Sequence, residues 1–423
     1  MKNNSFKFEN HKNNKVSARK GQAALFAAAL LYTAASGSIN TFADSVAVYP
    51  DLNSEVKSIG SEVKQTNNFS RSSDEWKRLE DNELDWDEIP ALIHEYNANV
   101  ITNRSELSKD ERRSMDSEEV SSYLLDKASD YESQADAMDD ASGKELVAAN
   151  LRIQANNLRR QADSNLDDFD VVKLSYEQIE KQTVLSAKTQ FLDYYTALLS
   201  KDSSASNLEY LERAYNSALN RKNAAVGTEL EVLTAKLTWD DARASAVTLD
   251  NQINANRQSL IVSCGWKYDA DAVIGKLPEY DAQTIANVNY EEDKKKAEAA
   301  NITLKIDNIR VKNASDSGYQ TLVEEQKTNL KKDADSFGIN FKAAYDGLVN
   351  AVTAYNNAVS AKANSDKDLT YANKQYALGM ISKVELMKAE NSAVTAEASV
   401  SSAYNQMVLA RVKYDAAVND GIL

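Results

Sequence analysis

Proline and glycine are scarce in this chain, at 3 and 12 of 423 residues. With so few helix breakers, the segments between them read as long helices rather than as the short elements of separate globular domains. Cysteine is scarcer still. Cys264 stands alone, so no internal disulfide can form. Histidine occurs only at His11 and His94, and one or two histidines with one cysteine cannot build a multi-His or Cys-rich metal site. Every glycine is isolated, which excludes a glycine-rich phosphate loop. No segment after residue 43 is apolar for long enough to form a membrane helix. Acidic pairs at Asp139/Asp140, Asp167/Asp168 and Glu291/Glu292 read as solvated faces or helix-start charges rather than acid/base partners. No catalytic, cofactor-binding or metal-binding residue is assigned, and the chain is not read as an enzyme.

Basic residues are concentrated at the start. Lys2, Lys7, Lys12, Lys15, Arg19 and Lys20 precede an apolar run from Ala23 to Ala35, and Thr41-Phe42-Ala43 offers a small-x-small cleavage site. This is the order of a secretory signal over residues 1–43, with a retained anchor as the alternative. Its removal takes away six basic residues and Glu9, moving the formal charge from −15 to −20. A chain this acidic is a poor ligand for nucleic acid. Residues 44–73 are polar, rich in Ser and Asn, and read as a flexible leader.

What the chain has in abundance is heptad spacing. Leu386, Ala389, Ala393, Ala396, Val400, Ala403, Met407, Ala410, Tyr414 and Ala417 follow one another at alternating steps of three and four, the seam of a coiled coil. Alanine in most of these positions lets two backbones approach closely but adds little area, so the seam needs length and several partner helices. Subtracting 154 from each position gives a second seam, Val232, Ala235, Trp239, Ala242, Ala246, Leu249, Ile253, Asn256, Leu260 and Ser263, eight of its ten members apolar. Thr228 aligns with Ser382 and Arg257 with Arg411 at the same offset. The unit is duplicated.

In chain order, a helix start is expected near Leu84-Asp-Trp-Asp-Glu-Ile-Pro, with a helix from Ala91 to Asn103 carrying His94. A further helical pattern runs from Asp116 to about Asp163, with Leu124, Ala128, Tyr131, Ala135 and Met138 as its early stripe. Another extends from the Asp163–Asp168 turn to Ala225, and the returning helix ends at Cys264. The stretch 265–283 joins the two copies. Helix resumes near Thr284, breaks weakly around Ser315-Asp-Ser-Gly, and continues past a second possible break at Asp335-Ser-Phe-Gly toward Tyr376. The expectation is thus an all-α fold of elongated antiparallel long-helix hairpins, one repeat over 74–264 and the second over 284–423. The segments Val171-Val-Lys-Leu-Ser-Tyr and Phe337-Gly-Ile-Asn-Phe are the nearest to strands, and both sit inside helical patterns.

The chain reverses at Val226-Gly227-Thr228 and again at Leu378-Gly379-Met380-Ile381-Ser382. Gly227 and Gly379 are expected to take the left-handed conformation closing one helix, and Thr228 and Ser382 to cap the next. On this reading the second turn has two extra residues between glycine and cap. A hairpin tip presents backbone groups and small residues together and so suits docking by another protein; a plain helix-to-helix turn is the alternative.

Signal, duplicated hairpins, the two tips and the Leu/Ala spacing through Ala235 and Ala389 resemble the TolC-like outer-membrane efflux family. Glu88-Ile-Pro-Ala-Leu-Ile-His-Glu-Tyr-Asn97 is similar to that family's first helix, which carries such an Asn. The likeness is strongest over 208–265 and 369–421. It implies a homotrimer forming a helical tunnel, with a periplasmic-adaptor-like protein and an ABC-type or other transporter docking at the tips. Val226, Gly227, Thr228, Leu378, Gly379 and Ser382 would then lie at the adaptor-facing aperture, with Glu229, Glu231 and Glu385 as its acidic lining. Family members insert barrel strands between rising and falling helices. Here the corresponding places, near 163–170 and 315–320, have room only for turns. The chain therefore reads as a barrel-less relative and a passive conduit or docking component of the cell envelope. It would sit in the outer membrane by resemblance, or at the cell wall or surface without the barrel. A non-transporting coiled-coil protein of the surface is the alternative, and a pore-forming toxin would need an apolar tongue that the sequence lacks.

Overall fold

The structure is a computed structural model that describes residues 71–110, 112–139, 144–163, 165–280 and 288–423. The secretory signal and all but the last residues of the leader lie outside these. The described residues fall into two units, one of Leu124–Ala162 and a larger one of 71–123 with Asp163–Leu423.

The larger unit opens with α1 (Ser73–Glu80), capped by a reciprocal Ser72–Glu75 box. Order therefore begins before the Leu84 start expected from the sequence, because Trp76 and Leu79 are buried and hold α1 down. Strand β1 (Glu83–Leu84) and a 3₁₀ turn (Trp86–Glu88) lead into α2 (Ile89–Tyr96). The single helix expected from Ala91 to Asn103 is in fact two, since Asn97 is extended at ψ 121° and starts α3 (Ala98–Lys109). Its side-chain oxygen accepts from the Asn99 and Val100 amides, the competition with the helix that makes Asn a cap.

Two hairpins of long helices dominate this unit. The first pairs α6 (Phe169–Asn223) with α7 (Glu229–Ser263), and the second pairs α10 (Gln320–Ala377) with α11 (Lys383–Asp415). At 1.5 Å per residue the 55 residues of α6 reach roughly 80 Å. Every seam position from Val232 to Ser263 and from Leu386 to Ala417 is buried or half-buried, as the heptad spacing predicts. Tyr215 stacks on Trp239 across the first hairpin, with ring centroids 5.6 Å apart. The helix continues past Asp335–Gly338, as expected. Phe337 and Phe341 stack there and bury against the Tyr414 side of α11; that burial exceeds the roughly 1 kcal/mol that Gly338 costs inside a helix.

Helix α11 also lies antiparallel on α6, which joins the hairpins. Asn391 donates to Asn207 (3.2 Å), Ser203 meets Thr395 (3.4 Å), and Asn405 donates to Thr196 (3.0 Å). Between the hairpins, α8 (Tyr290–Ala300) and α9 (Ile302–Asp316) precede a turn at Gly318, whose φ of 75° sends the chain into α10. A π-helical turn, Ala416–Asp420, closes α11. Opposite the tips, a core of Trp86, Ile93, Tyr96, Phe191, Leu260, Cys264 and Val408 fastens α1–α3 to α6, α7 and α11. Within 265–280, β2 (Val273–Ile274) pairs in parallel with β1, and these two-residue strands are the only ones among the described residues. Periodicity had no means of finding them.

The smaller unit corrects a second expectation. The helix expected from Asp116 to Asp163 is two, α4 (Ser117–Asp139) and α5 (Glu145–Asp163). Arg152 pairs with Asp136 and Arg159 with Glu132, so they run antiparallel. Tyr131, Ala135 and Met138 of the expected stripe pack with Ala148 and Leu151, a third alanine-rich seam.

Candidate functional site

The antiparallel seating of α11 on α6 puts both tips at the same end of the larger unit. Each tip ends one helix with the same pair of backbone bonds. Val226 N–H donates to the Arg221 carbonyl and Ala225 N–H to that of Lys222, both at 2.9 Å. Met380 N–H donates to Gln375 (2.8 Å) and Gly379 N–H to Tyr376 (2.9 Å). This is the Schellman arrangement, which satisfies carbonyls that a helix end would otherwise orphan. Adding 154 to every residue of the first tip gives the second.

The left-handed residues are Ala225 (φ 59°) and Gly379 (φ 71°). Gly227, expected to fill this role, does not; it aligns with Ile381 and lies close to Arg221 and Lys222 of α6. The second turn therefore has no extra residues. Counting from the wrong glycine created that apparent insertion, since left-handed geometry normally selects glycine and here falls on alanine.

Both caps are reciprocal boxes. The Glu231 and Glu385 amides donate to Thr228 Oγ1 and Ser382 Oγ, each at 3.2 Å, while their carboxylates accept from the Thr228 and Ser382 amides at 3.2 and 2.7 Å. These bonds hold the Glu385 carboxyl below its ordinary pKa. Glu231 also lies 3.6 Å from Arg221, and Glu229 pairs with Lys222. The three acidic residues assigned to the aperture are thus engaged within their own hairpins. Among the side chains the tips expose are large apolar ones: Val226 and Met380 are each 68% exposed, Leu378 75% and Leu230 73%. Exposed apolar side chains cannot be told from core ones in sequence, and Leu230 lay unremarked beside the seam.

The other titratable groups are built into the frame. His94 Nδ1 and Glu180 Oε1 are 2.7 Å apart, Arg71 bonds Glu95 at 3.1 Å, and Arg310 bonds Asp167. Burial pushes the Cys264 thiol up to about 12. Asp168 caps α6 through the Val171 amide, and Glu291 and Glu292 sit in the first turn of α8. Among the described residues no group of three or more His, Cys, Asp or Glu side chains is disposed to hold a metal. None of the described helices is long and apolar enough to cross a membrane.

No protein-family model matches the sequence, and no curated protein does. Solved structures with a similar fold include a membrane protein from Pseudomonas aeruginosa (TM-score 0.49, 12% identity, covering 80% of this chain and 90% of that one). Others are the open state of the Neisseria gonorrhoeae MtrE outer membrane channel (0.48, 12%, 80% and 89%) and the Campylobacter jejuni CmeC outer membrane channel (0.46, 10%, 86% and 92%).

Proposed function

We propose that this chain is an exported, non-enzymatic helical conduit or docking component of a TolC-like efflux or secretion system. The observation that carries the reading is the pair of tips at one end of the long hairpins, built alike 154 residues apart and presenting Val226 and Met380 to solvent. Two equivalent rigid tips with exposed apolar residues give a partner the same contact twice, and repeated contacts raise avidity without new chemistry. The signal-like order of residues 1–43 supports export to the cell envelope. In this reading the chain works as a homotrimer, an adaptor-like protein engages the tips, and an ABC-type or other transporter supplies the energy.

The test is transport. A strain lacking the gene is expected to accumulate a fluorescent efflux dye. The wild-type gene restores its export, and a Val226→Asp, Met380→Asp double variant does not, although its amount and far-UV helicity are unchanged. Equal dye retention with and without the gene would remove the conduit and leave the non-transporting scaffold.

A further inference from the structure

One carboxylate between α9 and α10 is buried without a donor. Asp307 of α9 is 6% exposed, and its Oδ2 has no hydrogen-bond partner. A buried charge left unpaired is costly, so such a group either meets a counter-charge or holds a proton. The polar side chains beside it on α9 are turned elsewhere. Arg310 bonds both carboxylate oxygens of Asp167, at 2.6 and 3.0 Å, Asn308 donates to the Leu304 carbonyl, and Asn313 donates to Leu166 and Asp168. From α6, the residues that pack on this stretch of α9 are the apolar Val171 and Leu174, against Ile302 and Ile306. Across the interface with α10 the chain brings a second carboxylate. Leu304 shares a core with Phe337, and Ala314 with Val323, so the two helices lie antiparallel. Asp307 therefore comes opposite the stretch of α10 that holds half-buried Asp333 and exposed Lys332. Of the charges that reach Asp307, Asp333 favours its protonated form while Arg310 and Lys332 oppose it. Burial and Asp333 prevail.

We infer that Asp307 and Asp333 share one proton and form an acid-stabilised joint between α9 and α10, at the end of the second hairpin away from its tip. With the proton in place, one carboxyl donates to the other carboxylate and the pair carries a single negative charge. When the proton leaves to solvent, two carboxylates face each other at a buried contact, and α9 parts more readily from α10. Acidification closes the joint and neutral pH loosens it. This is the sense expected of a carboxyl whose folded pKa lies above its ordinary 3.8, at about 6 for Asp307. The joint lies far from the two tips along the helices, because α10 reaches its tip only at Ala377.

The test is hydrogen exchange of the full chain at pH 5 and pH 8, read as protection relative to each amide's intrinsic rate. Peptides covering 302–316 are expected to lose at least about tenfold in protection between the two values, with peptides covering the tip at 375–385 as the internal control. Asp307→Asn, whose amide donates to Asp333, is expected to remove the step. So is Asp333→Asn, whose amide donates to Asp307 and keeps it ionised at both values. The second variant separates a shared proton from burial alone: a step that survives Asp333→Asn would show that Asp307 titrates by itself and overturn the pair. In the wild type, protection over 302–316 that moves no more than that of the tip peptides would overturn the joint, whether or not either variant folds.

Discussion

Ala225 and Gly379 stand at corresponding steps of the two tips, 154 residues apart, and both are left-handed, at φ 59° and 71°. One carries a Cβ in a region where L residues are strained, and the other avoids it. Opposite substitutions should therefore move stability in opposite directions. Ala225→Gly is expected to stabilise the first tip and Gly379→Ala to destabilise the second, each by about 1 kcal/mol. Denaturant titration of the two variants and of the exchange between them checks this. Shifts of the same sign would show that the two turns are not equivalent.

Asn97 does two jobs with two atoms. Its Oδ1 caps α3, and its Nδ2 donates to the Ser263 carbonyl at the end of α7 (2.8 Å). Asn97→Asp keeps the acceptor and loses the donor, whereas Asn97→Ala loses both. The expected order of stability is wild type, then Asp, then Ala, with a total loss of about 1–3 kcal/mol. Hydrogen exchange at Asn99 and Val100 separates the two losses, because those amides lose protection only in the Ala variant.

Asp307 is 6% exposed and its Oδ2 has no hydrogen-bond partner. Burial first, and then the charge of Asp333 on α10, raise its pKa from the ordinary 3.8 to about 6. Between those values the folded chain binds a proton that the unfolded chain has released, so this group's contribution to stability falls as pH rises through that window. Asp307→Asn removes the charge throughout. The variant is expected to gain thermal stability over wild type at pH 7 and to lose that advantage toward pH 4. A difference between the two that does not change with pH would rule out this assignment.

Cys264 is buried behind Tyr96 and Trp266, and its thiol is pushed up to about 12. A thiol reagent needs both access and thiolate. Labelling of the folded chain at pH 8 is expected to be slower than that of the unfolded chain by orders of magnitude, and its rate should track the opening of the core around α2. Rapid labelling of the native chain would show that this core opens readily.

Much of the long-helix architecture was legible because it rests on spacing that one strand of text carries. Seam positions 386 to 417 and their partners 154 residues earlier repeat every three or four residues, and burying them admits only one face per helix. The caps Thr228 and Ser382 were legible for a similar reason, since a hydroxyl followed three residues later by Glu is a local reciprocal bond. The left-handed residue was not, because the tip backbone, rather than the composition of the turn, put Ala225 there. Asn97 made a break inside a stretch that read as continuous, whereas the possible break at Gly338 is passed because Phe337 and Phe341 are buried.

The sequence by itself determined the two heptad seams 154 residues apart, the length of their helices and the face each turns to its hairpin partner, because heptad burial is a property of residues near one another in the chain. Only the tertiary structure decided that α11 covers α6 and that the like face of α7 is bare. Those outcomes depend on which helices meet across gaps of up to about two hundred residues, as between Thr196 and Asn405, and no local periodicity encodes which of two equivalent faces finds a partner.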